Sequence, residues 1–440
     1  MRSPSSAPAW LLNKEWRELL SSRAWWAFLI LMGPLVGVSF ISAVHTYAEA
    51  SGLGGTSPGV GEAFSPLVGI WAPTFSACEL AAAFLLPFVA IRLFSGDRQS
   101  GALKLELQHP MAAFARTSIK ALVLMAGWLI ALLAPLTAVL LWKSYGGSIY
   151  TPELATVILG HLLNAGLTIA LAGTAAAITE HPATAAIVTL AVTIGSWIIS
   201  FIAAVHGGWW ERIAGYTPTA LVAEFQHGLV RLDVLLIAVA LILAGLWLAA
   251  IWVRLGVRVR RRVNESIAVA AAATMVIFAC VFVITSWDLS ENRMNSFSRA
   301  DELALSQIHT PLRIEVHLAP EDPRRVDLER RALSKLRRVM PKLRVEYVSA
   351  TSIGLFEQTS AHYGELWYDL GGRKQTSRVT TPEGVLETIY ALAGIAPPES
   401  TEDFRGHPLA VPPHGAAFIF YGVWPALVLA ASFFLQRRHS

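Results

Sequence analysis

Eight apolar stretches, each near the ~20 residues that carry a helix across ~30 Å of hydrocarbon, constrain this chain more than any other feature. They run at 24–44, 68–93, 120–142, 154–178, 183–205, 233–253, 266–287 and 415–435. Inside hydrocarbon a backbone must satisfy its own polar groups, so these stretches read as helices. The fourth and fifth are separated only by Thr179, Glu180, His181 and Pro182. A proline after two polar residues ends one helix and opens the next, which predicts a tight hairpin there. Only 15% of the 440 residues are charged. Soluble domains carry roughly 25%, so a wholly soluble fold is excluded.

Lysine and arginine gather beside alternate ends of the stretches. Lys14, Arg17 and Arg23 precede the first; Arg92, Arg98, Lys104 and Arg116 lie between the second and third; Arg254, Arg258 and Arg260 to Arg262 follow the sixth; Arg437 and Arg438 close the chain. The intervening loops 45–66 and 143–153 hold Lys143 alone. Positive loops stay in the cytoplasm, so both termini are expected there, in a bacterial-type cytoplasmic membrane, with residues 288–413 outside. Loop placement also accounts for the small net charge of +4, and no nucleic-acid partner is expected. Cys78 and Cys280 fall within apolar runs and read as packing residues, not as a disulfide framework.

Residues 1–23 read as a cytoplasmic surface helix, with Leu12, Trp16, Leu19 and Leu20 on one face and Lys14, Arg17 and Glu18 on the other. Glu79 lies mid-span, where an ionisable group needs protein or water around it, and is the leading intramembrane candidate for function. His161 and Asn164, one turn apart in the fourth span, are polar candidates able to face Glu79 or to bond between helices. Pro73 and Pro87 predict kinks in the second span, and Ala172 to Ala177 predict close helix contact. Trp25, Trp26, Trp71, Trp142, Trp209 and Trp210 sit near span ends, where indoles favour the membrane interface.

The stretch from Gly96 to Pro110 reads as an amphipathic elbow tied at both ends to spans, able to take a push from a soluble partner. It resembles the motif of type-2 ABC exporter permeases, in which a Gly-Glu-Arg…Gly-Thr-Leu-Glu…Pro…Lys pattern follows the second span. Gly96, Asp97, Arg98, Gly101, Leu103, Pro110 and Lys120 match; Gln99, Ala102 and Lys104 depart. The resemblance implies a six-span permease domain over 24–263, with a coupling helix at 96–110 docking on an ATPase subunit, and outer-leaflet re-entrant helices over 207–232. The chain holds no G-x-x-x-x-G-K-[ST] sequence, so ATP and Mg are expected on that separate subunit and no cofactor or metal on this one. Six spans form half of such a path, so a homodimer or a heterodimer with a similar permease is expected.

Residues 264–287 read as a seventh span, 288–413 as a separate folded unit with about a quarter of its positions charged, and 414–440 as an eighth span with a basic tail. Leu312, Ile314, Val316 and Leu318 alternate as a strand; 323–340 read as a basic amphipathic helix; 342–348 as a strand; 365–370 and 373–380 as a hairpin about Gly371-Gly372; 382–393 as a helix. The order β-α-β then β-β-α is that of a thioredoxin-like layer. Its opening Trp287-Asp-Leu-Ser…Arg293…Ser296-Phe-Ser298 resembles the auxiliary component of gliding-motility-type ABC systems, here in truncated form. The absence of Cys-x-x-Cys excludes dithiol chemistry, and His309, His317, His362 and His407 lack metal-ligand spacing. The basic face from Arg324 to Arg338 reads as solvated, with an anionic surface as the alternative.

The expected fold is therefore a mainly α polytopic membrane protein with an extracytoplasmic α/β domain. The expected function is the non-enzymatic permease subunit of an ABC exporter. The alternative is a mechanotransmission or assembly complex that passes force to an outer partner without moving solute.

Overall fold

The structure is a computed structural model that describes residues 7–52, 64–102, 110–206, 209–283, 285–319, 322–348, 362–398, 404 and 406–439. Leu103 and the remainder of the elbow to residue 109 lie outside the described residues. Among the described residues, eight helices are long and apolar enough to cross a membrane: Arg23–Gly52, Leu67–Gln99, Ala113–Ser144, Thr151–Ile178, Pro182–Ala203, Leu232–Val253, Val259–Cys280 and Ala416–Arg437. The chain divides into two compact units, Met1–Trp197 with Tyr216–Leu289 and Arg405–Ser440, and Ile198–Gly215 with Ser290–Phe404.

Within the first unit the spans differ in how far neighbours surround them. In the second and fourth spans 67% and 61% of the apolar window is buried, against 6% in the seventh and 11% in the eighth, so the former build the centre and the latter the periphery. The second span is broken as its prolines require. A π turn over Leu67–Trp71 leads into the helix Ala72–Phe84, which gives way at Leu85 to the helix Leu86–Gln99. Thr174 Oγ1 of the fourth span donates to Gly245 O of the sixth at 2.8 Å, and Gly173 lies against the Phe94 ring, as the small-residue run predicts.

Two expectations are corrected. The helix of the seventh span runs Val259–Cys280, starting earlier in the arginine-rich segment than 264–287; Arg260 and Arg261 are exposed on its first turn, while Arg262 donates to Arg254 O. Four of the six tryptophans near span ends are packed among protein side chains. Trp25, Trp26, Trp71 and Trp142 are buried in the bundle, where Trp142 packs edge-on against Tyr47 and Trp71 at ring distances of 5.4 and 6.4 Å.

A feature not read from the sequence joins the first and eighth spans. Gly33 and Gly37, spaced i to i+4, form a shallow strip into which Trp424 and Phe420 press. A methyl group on either glycine would stand 2.2 Å from the Trp424 ring or 2.5 Å from Phe420 Cβ. Trp424 Nε1 then donates to Leu29 O at 2.8 Å. This is the small-xxx-small mode of helix contact, which works by letting backbones approach.

The second unit contains a four-stranded sheet in the order β4-β3-β5-β6, from β3 (Leu312–Val316), β4 (Leu343–Tyr347), β5 (Leu366–Leu370) and β6 (Arg373–Ser377). β3 runs parallel to β4 and antiparallel to β5, and β5 antiparallel to β6. Alternation sets the core: Leu312, Ile314 and Val316 point inward with Leu366, Tyr368 and Leu370, against Leu328, Leu333 and Leu336 of the segment 323–339 and Val385 and Ile389 of the helix Pro382–Ala393. That last helix has Thr381 as N-cap and a left-handed Gly394 after its end.

Candidate functional site

The helix Ala7–Ser21 turns Lys14 and Glu18, one turn apart, and the adjacent Glu15 toward the last turn of the second-span helix Leu86–Gln99 and the start of the third-span helix Ala113–Ala131. There Lys120 Nζ reaches Glu15 Oε2 at 2.8 Å, Asp97 Oδ2 at 2.5 Å and Leu93 O at 3.0 Å. An ammonium has three protons, and each has an acceptor. Lys14 bonds the other oxygens of the same two carboxylates, Glu15 Oε1 at 3.1 Å and Asp97 Oδ1, and lies 3.6 Å from Glu18 Oε2. Glu15, Asp97 and Lys120 are 0%, 3% and 6% exposed, so this is a buried charge network, not a surface ion pair. The carboxylates of Glu15, Glu18 and Asp97 lie close enough to share a cation, and the two lysines supply that positive charge.

The motif residues take specific places around this network. Asp97 bridges both lysines. Gly96 leaves room for Glu18, whose Oε1 would stand 2.9 Å from a β-carbon there. Arg98 faces another way: its Nη1 donates to Thr179 O at 3.1 Å and Ala177 O at 3.3 Å, meeting the carbonyl end of the fourth-span helix, where the dipole favours a cation. Gly101, at φ +75°, follows Ser100 and turns the chain off the helix in the left-handed conformation that suits glycine. Pro110 is exposed. Residues 96–99 of the expected coupling helix are thus the end of the second span's own helix. Sequence reasoning had put Lys14 and Glu18 on the solvent face and passed over Glu15; its single signal was an acidic residue within an otherwise apolar helix face.

The intramembrane candidates are not gathered into one site. Glu79 opens onto a groove shared with Leu35, Val38 and Ser39 of the first span and Trp197 of the fifth. His161 is fully buried, stacked on Phe75 at 5.5 Å, with its Nε2 3.4 Å from Gln226 Nε2. Asn164 is also buried in the fourth span.

The opposite end of the bundle is held differently. β1 (Leu229–Arg231), just before the sixth span, pairs antiparallel with β2 (Ser286–Asp288), just after the seventh, and Leu289 N donates to Gly228 O at 2.9 Å. Arg231 bridges Glu224 at 2.7 Å and Asp233 at 2.5 Å. The chain approaching the eighth span is caught by Tyr47 Oη on His407 O at 2.8 Å, Ser51 Oγ accepting from Leu409 N at 3.1 Å, and Tyr145 Oη on His414 O at 2.8 Å.

In the second unit the basic segment is mostly engaged within its own domain and is not a bare solvated face. Arg325 is buried, with its guanidinium 4.1 Å from the Tyr347 ring centre; Arg337 pairs with Glu329; Lys335 donates to Ser296 O at 3.1 Å. His317 and His362, distant in sequence, flank Trp367 at ring distances of 4.9 and 5.2 Å. Beside them the Trp367 indole and the Arg378 guanidinium hold the Glu365 carboxyl down at about 2, and the Arg324 guanidinium holds Asp322 at about 2. Compared with protein-family models, with curated proteins and with solved structures, the chain matches none.

Proposed function

We propose that this chain is the permease subunit of an ABC-type exporter, coupling ATP hydrolysis by a separate subunit to export across a bacterial-type cytoplasmic membrane, with both termini cytoplasmic. The observation that carries the reading is the convergence of Gly96, Asp97 and Lys120, three positions of the resembled motif, on one buried charge network. That network joins the N-terminal helix to the second and third spans, and Arg98 adds the fourth. A force applied to the segment after Gly101 therefore reaches four elements through bonds that cannot stretch cheaply. The contacts also sort the loop ends into two groups, 14–15 with 97 and 120 at one end, and 47 with 407 and 145 with 414 at the other. This grouping agrees with the sidedness drawn from lysine and arginine.

In this reading ATP and Mg bind the partner ATPase, two permease protomers complete the path, and the outer domain is thioredoxin-like, which the β4-β3-β5-β6 order and its mixed strand directions support. The test is reconstitution of the chain and its ATPase in vesicles. Hydrolysis that rises with the permease present, and falls back in Asp97→Ala, is the expected result; hydrolysis indifferent to the permease would contradict it.

A second reading, mechanotransmission without solute movement, is favoured by the double anchoring of the outer segment. One root is paired to the strand before the sixth span, and the other is bonded to the first and third. Relative motion of those spans changes the separation of the roots. Solute uptake into inverted vesicles separates the two readings.

A further inference from the structure

The groove beside Glu79 has a chemistry that the coupling network does not use. It holds about 540 Å³ and is walled by Leu35, Val38 and Leu80, with polar groups only from Ser39, Ser76, Glu79, Trp197 and Thr219. A volume of that size, apolar with a few convergent polar groups, is ordinary for a small-molecule site. Two of its hydroxyls bond within the protein: Ser76 Oγ donates to Pro73 O at 2.6 Å, and Thr219 Oγ1 shares a hydrogen bond of 2.7 Å with Ser196 Oγ. Phe84, packed edge-on against Trp197 at 5.5 Å, fixes that indole in place. What the groove offers is an apolar wall and the lone pairs of one carboxylate. An anionic or sugar-like ligand would meet a negative group and few donors, whereas a cation meets its complement. A carboxylate at this depth also calls for a counter-charge, because its solvation by hydrocarbon is poor.

We propose that this groove binds an amphiphilic cation, an apolar body lying between the first, second and fifth spans with its positive group against Glu79. As the substrate class of the exporter it rests on the permease reading; as a binding site it does not.

The experiment measures binding of radiolabelled tetraphenylphosphonium to the purified full-length chain in detergent, with triphenylphosphine oxide as neutral competitor. Saturable binding is expected that the neutral compound does not displace. Glu79→Gln should weaken it by about tenfold or more, as expected for removing an opposite charge from a site of low dielectric, while Glu79→Asp stays close to wild type. Circular dichroism and gel filtration establish that both variants are folded. Equal binding by Glu79→Gln, or full displacement by the neutral competitor, overturns the proposal. So does a Glu79→Gln chain that changes its oligomeric state while binding the cation unchanged, since the groove is then a seam between copies. Because no ATPase is in the assay, a chain that binds the cation but fails to stimulate its ATPase removes only the exporter, and the converse removes only this site.

Discussion

The two ends of the helical bundle are fastened by different physics. At the basic end, five ionisable side chains from three elements meet, three of them buried, and Lys120 alone serves Glu15, Asp97 and Leu93 O. At the other end most fastenings are neutral, tyrosine hydroxyls on backbone carbonyls and a short antiparallel pairing of β1 with β2, and the one charged cluster there, Arg231 with Glu224 and Asp233, is partly exposed. Neutral bonds contribute separately and modestly. A buried charge network is all-or-none, because removing one member leaves its partner charged and dry. The first arrangement suits an end where a force must be passed on without slippage, the second an end where segments rejoin a bundle after a long excursion.

The largest effect should come from the network. Lys120→Met keeps the length of the side chain but leaves the two buried carboxylates of Glu15 and Asp97 with the partly exposed Lys14 alone, and is expected to lower stability by about 3–5 kcal/mol, read as a fall in thermal unfolding temperature of the detergent-purified chain. Adding Asp97→Asn should recover part of that loss; a single variant within about 1 kcal/mol of wild type would mean the network is no tighter than the other end.

Next is the glycine strip. Gly37→Leu drives a side chain into Phe420 and should cost about 1–3 kcal/mol by overpacking, with the eighth span released from the first. Cysteine cross-linking between Leu29 and Trp424 positions reports that release directly, and unchanged cross-linking would show the contact to be incidental.

At the opposite end, Tyr145→Phe and Tyr47→Phe should each cost about 0.5–1.5 kcal/mol. Their double variant should cost near the sum, and strong non-additivity would indicate that this end too behaves as a unit.

The smallest effect concerns the second unit. Asp322 and Glu365 titrate near 2 in the folded chain, below the ordinary 3.8 and 4.5. Their folded values are depressed, so the stability they contribute is present above the ordinary values and is lost as pH falls from about 4.5 toward 2. Hydrogen exchange over residues 312–377 of the full chain, corrected for intrinsic rates, should accelerate across that window, and less so in Glu365→Gln.

Span number and the strands of the four-stranded sheet were legible because they rest on local patterns: apolar length for the spans, alternation from Leu312 to Leu318 for the sheet, and Thr381-Pro382 with Gly394 for the ends of the last helix beside it. The motif residues were legible as a set, but not their division of labour, in which Asp97 looks to Lys14 and Lys120 while Arg98 caps the fourth span. Glu15 was passed over because a carboxylate on a surface helix looks solvated until its neighbours are known. The groove of Gly33 and Gly37 was overlooked for a related reason: small residues in an apolar span declare a close approach only when the partner helix is in view. His317 and His362 meet only because β3 and β5 are adjacent, a pairing across sequence that spacing does not reveal.

The central claim is that the basic end, and not the opposite one, engages an ATPase. A photo-crosslinking residue placed at Gln99, beside the network, and another at Tyr150, at the far end, in the full chain in native membranes would test it most directly. The account predicts an adduct with a P-loop ATPase from Gln99 and none from Tyr150; an adduct from Tyr150 alone, or from neither position, would contradict it.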